Sequence, residues 1–330
     1  MKKIFITGAI GYLGQRLSLM LAEQGFIIHA LVRDISKADE LLNHKNIKLF
    51  RGSILNVESI QTAMRDCEEV YHLAALASVW NKDSRLFDRL NVDGLQNVLE
   101  CCMKQDVRKV LFTSTAGVVG HSVDGKPVAE GTNHSPALET LYEASKLKAE
   151  VVANQFVRKG LPVVIVNPSR VYGPGILTES NGFTRLIKMY INGKWNIQPG
   201  HGKSIGNYVY IDDVLEGFLK AMEFAKPGER YLLGGENVSY GDFFSMIDEL
   251  SGENRRLYNV PLPMMLILSY LQLGIAETFG KHPFITPPFV KKYSKNWIVS
   301  SEKASLELGY SITPFKVGLQ KTLSWLQTQN

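Results

Sequence analysis

The most informative stretch of this 330-residue chain is Thr7-Gly8-Ala9-Ile10-Gly11-Tyr12-Leu13-Gly14. It follows a short apolar run, Lys3 to Thr7, and opens a helical pattern that continues to Gln24. Glycines at such a strand–helix junction allow a tight turn, close approach of the backbone to a pyrophosphate, and close packing of the helix on the sheet. The helix N-terminus adds free N–H groups and a favourable dipole. We therefore predict a dinucleotide-binding loop here.

Strands and helices alternate from this loop to residue 167. The longest helical stretches are 83–104 and 139–159, and further strands are predicted at Phe26 to Val32, Asn46 to Arg51, Glu69 to Leu73, Lys109 to Ser114 and Pro162 to Asn167. Apolar strands that alternate with helices form a parallel sheet covered on both faces. The predicted fold class is α/β, with a Rossmann doubly wound parallel sheet.

The pattern changes after Asn167, where a turn-rich segment begins. A strand at Ile205 to Tyr210, a helix at Asp212 to Phe224 and a strand at Arg230 to Leu233 follow, and the remainder mixes short helices with Pro-rich loops. We predict a smaller C-terminal substrate lobe interleaved with the main domain. The dinucleotide domain is assigned residues 1–174 with 203–235, and the lobe residues 175–202 with 236–330.

Composition excludes few functions but favours an ordinary enzyme-like domain. The chain is 45% hydrophobic and 21% charged, and its net charge of +5 is spread along the sequence, so we expect no nucleic-acid partner. Cysteines and histidines show neither a disulfide framework nor metal-ligand spacing, so we expect no metal and no chemistry at Cys67, Cys101, Cys102, His72, His121 or His134. Because Met1-Lys2-Lys3 leads directly into a strand, we expect a cytoplasmic protein.

One apolar segment, Leu262 to Phe279, raises the question of membrane contact. It contains Pro263, Gln272 and Glu277, whereas a spanning helix needs about 20 nearly uncharged residues. We expect a buried or partner-facing helix. Peripheral membrane contact, aided by Lys291, Lys292, Lys295 and Trp297, is the weaker alternative.

A set of motifs in fixed order resembles the extended branch of the short-chain dehydrogenase/reductase superfamily, which includes NAD-dependent epimerases and dehydratases. The set comprises the G-x-x-G-x-x-G loop, His72-Leu73-Ala74-Ala75, Asn91-Val92-Asp93-Gly94-Leu95-Gln96-Asn97, Phe112-Thr113-Ser114-Thr115-Ala116, Tyr142-Glu143-Ala144-Ser145-Lys146 and Pro168-Ser169-Arg170-Val171-Tyr172-Gly173-Pro174-Gly175. It spans about residues 3 to 235. Members that resemble dihydroflavonol reductase or 3β-hydroxysteroid dehydrogenase are the nearest match.

Tyr142 and Lys146 are the predicted catalytic pair. They stand at i and i+4 and so share one helix face. Reduction of a ketone leaves an alkoxide that needs a proton, and a nearby ammonium would lower the phenol pKa from about 10 towards neutrality. The resemblance implies that Thr115, beside Ser114, bonds the substrate oxygen. It also implies that Lys146 holds the nicotinamide ribose.

The resemblance also implies a set of cofactor contacts around the ends of the strands. Asn91 either braces the loops near the cofactor or satisfies buried backbone groups, and Pro168 and Val171 are expected at the nicotinamide face. The complete predicted set is Gly8, Ile10, Gly11, Tyr12, Leu13, Gly14, Arg33, Ser53, Ile54, Leu73, Ala74, Ala75, Asn91, Tyr142, Lys146, Pro168 and Val171.

The end of the second strand bears on which dinucleotide is bound. NAD-using members carry an acidic residue where this chain has Val32, and Arg33 follows it as in NADP-using reductases. An arginine there accommodates the 2′-phosphate of NADP. The prediction is therefore NADP, with NAD as the alternative if Asp34 binds the ribose. Ser53 replaces the Asp that often holds adenine, which weakens that anchor.

Gly206 bears on the type of reaction. Nucleotide-sugar enzymes of this branch usually carry an Arg at this position, which pairs with the substrate diphosphate. Because Gly206 has no side chain, we expect a ketone/alcohol oxidoreductase for a small, fairly apolar substrate. A nucleotide-sugar epimerase or dehydratase, with Arg170 or Arg185 as the substitute cation, and a non-catalytic NADP-binding redox sensor are the alternatives. The helices at 83–104 and 139–159 also allow a homodimer.

Overall fold

The computed structural model describes residues 1–132 and 138–329. His134, to which no chemistry was assigned, lies outside these residues. The strands, numbered in chain order, are Lys3–Thr7 (β1), Ile27–Val32 (β2), Ile47–Arg51 (β3), Glu69–His72 (β4), Lys109–Thr113 (β5), Val163–Pro168 (β6), Arg170–Tyr172 (β7), Ile197–Pro199 (β8), Ile205–Tyr210 (β9), Arg230–Leu233 (β10), Glu236–Ser239 (β11) and Tyr258–Val260 (β12).

The helices are numbered in the same way. They are Tyr12–Glu23 (α1), Ile35–Leu41 (α2), Val57–Met64 (α3), Arg85–Asp88 (α4), Gly94–Lys104 (α5), Leu141–Arg158 (α6), Gly182–Ile191 (α7), Ile211–Phe224 (α8), Tyr240–Ser251 (α9), Leu262–Phe279 (α10), Pro287–Tyr293 (α11), Glu302–Leu308 (α12) and Phe315–Gln327 (α13).

The central sheet has seven parallel strands in the order β3-β2-β1-β4-β5-β6-β10. Its inner strands are buried on both faces; β6, for example, is buried along its whole length. One core packs the sheet against α3, α5 and α6, and the other packs it against α1, α8 and the lobe. The predicted α/β Rossmann fold is confirmed, and all the strand carboxyl ends lie along one edge.

The segment after β6 contains a strand that the turn-rich sequence did not predict. The three-residue strand β7 pairs with β9 in parallel, and β11 pairs with the other side of β9 in antiparallel fashion. The strand predicted at 205–210 therefore belongs to this small sheet and not to the central one. Pro168 ends β6, and the small sheet carries the chain from the strand edge into the lobe.

The helix predicted over 83–104 is interrupted. A π-helical turn, Arg89–Asp93, separates α4 from α5 and contains the buried Asn91. Such turns leave a local irregularity that often serves a functional position. Here it directs the Asn91 side chain to the backbone after β4 and to α6.

Helix α10 differs from its expected environment. Only Met265, Ser269 and Ala276 of its 18 residues are buried, so the first expected environment, a buried helix, is wrong, and the second, a partner-facing helix, stays a prediction. By length and composition alone it is also apolar enough to cross a membrane, contrary to the sequence estimate. Lys292 and Lys295, which were considered for membrane contact, pair instead with Glu143 and Glu139.

The start of α8 corrects a smaller interpretation. The helix, predicted from Asp212, begins at Ile211, and its N-cap position is Tyr210. Asp212 pairs with Arg16 of α1 at 2.6 Å, and Asp213 accepts hydrogen bonds from the backbone and side chain of Thr313. Both carboxylates therefore hold neighbouring segments against α8.

Candidate active site

The glycine loop presents bare backbone at the carboxyl end of β1. Gly8 has a φ of +73°, and a Cβ there would lie 2.7 Å from the backbone nitrogen of Ala74. A Cβ on Gly14 would overlap the carbonyl oxygen of Gly8 and lie 2.8 Å from its carbonyl carbon. Side chains at these positions would therefore force the loop apart. A surface of this kind at a helix N-terminus fits a pyrophosphate.

The other residues of this loop divide between core and surface. Tyr12 is 2% exposed, and its hydroxyl donates to the carbonyl of Gly173 at 3.0 Å. Its ring lies against Gly175, where a Cβ would be 2.9 Å from the ring. Gly11 donates its N–H to Gly8, while Ile10 and Leu13 are half-buried. The Tyr12 side chain thus holds the loop after β7, and only its backbone remains for a phosphate.

Arg33, Ser53 and Ile54 follow the ends of β2 and β3, beside the glycine loop. Arg33 is exposed, whereas the carboxylate of Asp34 caps α2 by accepting the N–H of Lys37 at 3.2 Å. The Ser53 hydroxyl accepts the N–H of Leu55, and Ile54 is buried. Asp34 is therefore engaged in capping α2, whereas Arg33 has no capping role.

The segment after β4 is fixed to the glycine loop and to the π turn. Thr7 Oγ1 lies 2.9 Å from Nδ1 of His72 and accepts the N–H of Ala74 at 3.2 Å. Asn91 accepts the N–H of Leu76 at 2.7 Å and donates to the Ser145 hydroxyl at 2.8 Å. The structure thus brings the predicted residues Leu73, Ala74, Ala75 and Asn91 to one edge. Asn91 links them to the helix that carries the predicted catalytic pair.

His72 belongs to no group of three potential metal ligands in the described part of the chain. It is 1% exposed, and burial lowers the pKa of its imidazole to about 3. A neutral imidazole between Thr7 and Phe112 is therefore a packing element.

The predicted catalytic pair stands at the start of α6. Thr140 and Glu143 form a capping box: the Thr140 hydroxyl accepts the Glu143 N–H, and the Glu143 carboxylate accepts the Thr140 N–H. Tyr142 thus occupies the first helical turn, where the helix dipole favours a negative charge. Lys146, one turn further, is 1% exposed, and its Nζ lies 4.3 Å from the centre of the Phe112 ring.

Thr115 meets this turn from the end of β5. Its hydroxyl accepts the N–H of Gly117 at 3.2 Å, which leaves the hydroxyl proton free to donate. A Cβ on Gly117 would lie 2.5 Å from a Glu143 oxygen, so the Thr115 segment packs directly on the residue after Tyr142. Asn167 donates to the Thr115 carbonyl at 2.9 Å and adjoins Pro168. The Thr115 segment therefore lies beside the first turns of α6, which carry Tyr142 and Lys146.

Val171 lies on the small sheet, one strand beyond the other predicted contacts. It belongs to β7, is half-buried, and pairs with Val209 of β9. It stands three residues after Pro168, at the point where the chain leaves the central sheet.

Electrostatics at the pair differ from the sequence-based expectation. Burial and, less strongly, the Glu143 carboxylate raise the pKa of the Tyr142 phenol, so the expected lowering is wrong for this arrangement. Burial lowers the pKa of the Lys146 ammonium to about 7, opposed by Glu150. A protonated phenol is the form that gives a proton to an alkoxide.

Lys146 leads to a prediction about stability and pH. Because its pKa is lowered from 10.5 to about 7, the buried charge destabilises the fold most below pH 7. As pH rises towards 10, the folded protein loses this proton before the unfolded chain does, and the penalty disappears. Lys146→Met should therefore raise the melting temperature of the cofactor-free protein at pH 6, and the gain should shrink by pH 9. Each kcal/mol corresponds to roughly 2–4 °C.

The matched control is Lys148→Met, two residues along the same helix, where the ammonium is exposed and paired with Asp88. Calorimetry on both variants between pH 6 and pH 9 provides the comparison. The assignment of a buried Lys146 charge would be contradicted if both variants changed the melting temperature equally. It would also be contradicted if the change caused by Lys146→Met did not depend on pH.

Two residues of the site, Glu143 and Lys292, were assigned no role there from the sequence. Glu143 is 0% exposed and, besides capping α6, pairs with Lys292 of α11 at 2.6 Å. The Thr140-x-x-Glu143 spacing is a sequence signature of a capping box and could have identified it. No sequence pattern indicates Lys292, because it lies about 150 positions away from its partner. Together they attach the lobe to the residue beside Tyr142.

The comparisons with known proteins agree with this architecture. The model of the NAD dependent epimerase/dehydratase family matches residues 4–234. A putative dihydroflavonol 4-reductase of Synechocystis sp. is 30% identical over 98% of this chain and 94% of its own length. The sterol demethylase protein B of Methylococcus capsulatus is 28% identical over 98% of this chain and 97% of its own.

A solved structure extends the comparison to the cofactor. The UDP-glucuronic acid 4-epimerase of Bacillus cereus, in complex with UDP-glucuronic acid and NAD, has a TM-score of 0.80 and 25% identity, and covers 99% of this chain and 100% of its own. This likeness supports a nicotinamide dinucleotide as the cofactor, and the bare glycine loop fits one. The resemblance seen in the motifs is confirmed: the chain belongs to the NAD-dependent epimerase/dehydratase family of extended short-chain dehydrogenases/reductases.

Proposed function

We propose that this chain is an NADP-dependent oxidoreductase that interconverts a ketone and a secondary alcohol on a largely apolar substrate. The observation that carries the proposal is the environment of Gly206. A Cβ there would overlap Nη1 of Arg170 and lie 2.8 Å from its Cζ, so a side chain at this position would displace the Arg170 guanidinium. Arg185, the other substitute considered, is exposed on α7. Aromatic rings from Phe183, Tyr208 and Tyr293 surround the Arg170 guanidinium in this region.

The chain's own residues provide the acid chemistry of such a reaction. A bound reduced nicotinamide would supply the hydride to the carbonyl carbon. As the C=O bond becomes a C–O single bond, the oxygen takes a proton from the Tyr142 hydroxyl, and the Thr115 hydroxyl donates a hydrogen bond to the same oxygen. The helix dipole at the first turn of α6 stabilises the phenolate that remains, and Lys146 would hold the nicotinamide ribose of the bound cofactor. In the oxidative direction Tyr142 takes the proton back.

The names of the relatives support the reductase and dehydrogenase side of the family. They include a putative dihydroflavonol 4-reductase and sterol-4-alpha-carboxylate 3-dehydrogenase, decarboxylating, of Mus musculus. The second is 25% identical over 94% of this chain. The B. cereus epimerase supports the alternative of a nucleotide-sugar enzyme. The Tyr142–Lys146 pair argues against a non-catalytic sensor.

Turnover measurements test the proposal. Alicyclic ketones supplied with NADPH, or the matching alcohols supplied with NADP, should change the absorbance at the nicotinamide band. The change should require both the substrate and the cofactor. UDP- and dTDP-sugars should show no micromolar binding by calorimetry. Binding of a nucleotide sugar at that level would favour the epimerase alternative, and NADPH binding without turnover of any ketone or alcohol would favour the sensor.

The choice of NADP yields a prediction for Arg33. If this exposed guanidinium binds the 2′-phosphate, Arg33→Ala removes a charged hydrogen bond that contributes about 1.5–3 kcal/mol, so NADPH affinity should fall roughly 10- to 150-fold. NADH affinity should change little, because NADH has no such phosphate. Fluorescence quenching gives both dissociation constants. The control is Arg65→Ala, an exposed arginine at the opposite edge of the sheet, after α3. Equal losses for both cofactors, or a wild type that prefers NADH, would contradict the assignment.

Two further proposals concern the protein's surroundings. We propose a cytoplasmic location, which the three buried, unpaired cysteines favour and which cell fractionation tests.

We also propose a homodimer through α5 and α6. Leu141 and Val151 of α6 are exposed apolar side chains that such a contact would cover, and light scattering measures the mass.

A further inference from the structure

Arg170, on β7, packs a half-buried guanidinium against the lobe and has no anionic partner among the described residues. Its Nη1 donates to the Tyr208 hydroxyl at 3.3 Å. Its Nη2 is shielded from solvent and finds no acceptor in residues 1–132 and 138–329, and no ion pair joins Arg170 to a carboxylate there. An N–H group that is shielded from water and has no acceptor costs free energy until an acceptor compensates it.

Three aromatic rings hold this guanidinium in place. Its Cζ lies 4.5 Å from the ring centre of Tyr293, 5.4 Å from that of Tyr208 and 5.6 Å from that of Phe183. Rings attract the cation through their faces, but they do not accept the in-plane N–H groups in the way that an oxygen does. The stacking therefore orients the guanidinium and leaves its donor edge unsatisfied.

Gly206 makes room for this arrangement. A Cβ at 206 would overlap Nη1 of Arg170 and lie 2.9 Å from Cζ of Tyr208. Nucleotide-sugar enzymes usually carry an arginine at the position of Gly206. In this chain the cation in that region is Arg170 of β7, and its guanidinium packs among rings.

Helix α11 connects Arg170 to the catalytic end of α6. Tyr293 stacks on Arg170, while its neighbour Lys292 pairs with Glu143, the residue after Tyr142. At the other end, Arg170 follows Pro168 by two residues, and Asn167 bonds the carbonyl of Thr115. The guanidinium therefore lies in the part of the lobe that adjoins Thr115 and Tyr142.

We propose that Arg170 binds a carboxylate on the substrate, so that the substrate is a carboxylated, otherwise apolar ketone or alcohol. The planar guanidinium matches a carboxylate and can bind it through two parallel hydrogen bonds. The surrounding rings suit an apolar body attached to that group. This assignment rests on the proposed oxidoreductase function for the remainder of the substrate. Gly206 acts with Arg170, because only a glycine leaves the guanidinium in this position.

Binding measurements on the NADPH-loaded protein test the carboxylate site without requiring turnover. The probes are 4-oxocyclohexanecarboxylate and 4-phenylcyclohexanecarboxylate, each compared with its methyl ester by calorimetry. Wild type should bind the acids at least about 10-fold more tightly than the esters. Arg170→Met should abolish this difference and leave ester binding unchanged. Without any probe, Arg170→Met should melt at the same temperature as wild type or higher, because the unpaired charge is gone.

Two further variants separate binding from folding. Gly206→Ala should displace the guanidinium and also abolish the preference for acids. Arg255→Met is the matched control: Arg255 is half-buried in the same lobe but already pairs with Glu253 at 3.0 Å, so the preference should persist. Equal binding of acids and esters to wild type, no binding of either acid, or a lower melting temperature of Arg170→Met with an unchanged preference would overturn the proposal. Acid binding without turnover of any ketone or alcohol would refute the proposed function alone.

Discussion

Tyr142→Phe should bind NADPH within a few-fold of wild type and lose most of its turnover, by about 10²- to 10⁴-fold. The hydroxyl that gives the proton is removed, whereas the ring remains at the start of α6. Burial and Glu143 raise the pKa of the wild-type phenol, which keeps the donor protonated at neutral pH. The loss should therefore appear in kcat more than in the cofactor dissociation constant.

Tyr258→Phe is the matched control for this variant. Tyr258 is 53% exposed on β12, which pairs with β8 and carries none of the predicted site residues, so removing its hydroxyl should leave kcat unchanged. Stopped-flow measurement of a single turnover, with cofactor affinity measured by fluorescence, separates chemistry from binding. A Tyr142→Phe variant with near-normal kcat would mean that another group delivers the proton.

The fold could be predicted from the sequence because its strands are apolar on both faces and are separated by regular helices. The predicted strands at 205–210 and 230–233 match β9 and β10 to the residue. The sequence did not predict that β9 pairs with β7 and not with a strand of the central sheet, because this pairing depends on where the chain turns after Pro168. Periodicity also gave no sign of the π turn at Arg89–Asp93, because a single widened turn shifts the pattern by only one residue.

The site shows the same division between local and long-range information. Local spacing indicated that Tyr142 and Lys146 share a helix face, and the capping box at Thr140 was visible in the same way. The direction of the shift in the phenol pKa was not visible, because it depends on how the folded chain buries the residue. The rings around Arg170 come from positions 183, 208 and 293, and only the folded chain brings them together.

Helix α10 illustrates a third limit. An apolar run of 18 residues indicates that something covers it, but the sequence does not distinguish between the protein's own core and an external partner. The structure excludes the core for most of the helix, since Ile267, Leu271 and Phe279 are each more than half exposed.

Gly14→Ala should have the second large effect, on both cofactor affinity and stability. The added Cβ would overlap the carbonyl oxygen of Gly8 and lie 3.0 Å from Cα of Ala9, so α1 would have to move away from the glycine loop. The neighbours are backbone atoms, which cannot relax by changing a rotamer. Overpacking of this kind typically destabilises a fold by about 1–3 kcal/mol, and a widened loop no longer directs its N–H groups at one phosphate. We expect NADPH and NADH affinity to fall together, by at least about 10-fold.

Gly274→Ala separates this effect from the general consequence of replacing a helical glycine. Gly274 lies within α10 with no atom near its Cβ position, so alanine there should stabilise the protein by about 0.5–1 kcal/mol and leave cofactor binding unchanged. Chemical denaturation and fluorescence titration with both cofactors measure the two consequences. Because the glycine loop contacts the pyrophosphate that NADH and NADPH share, equal losses for the two distinguish Gly14 from Arg33, whose replacement should weaken NADPH alone. Normal affinity for both cofactors in Gly14→Ala would show that the dinucleotide does not bind at this loop.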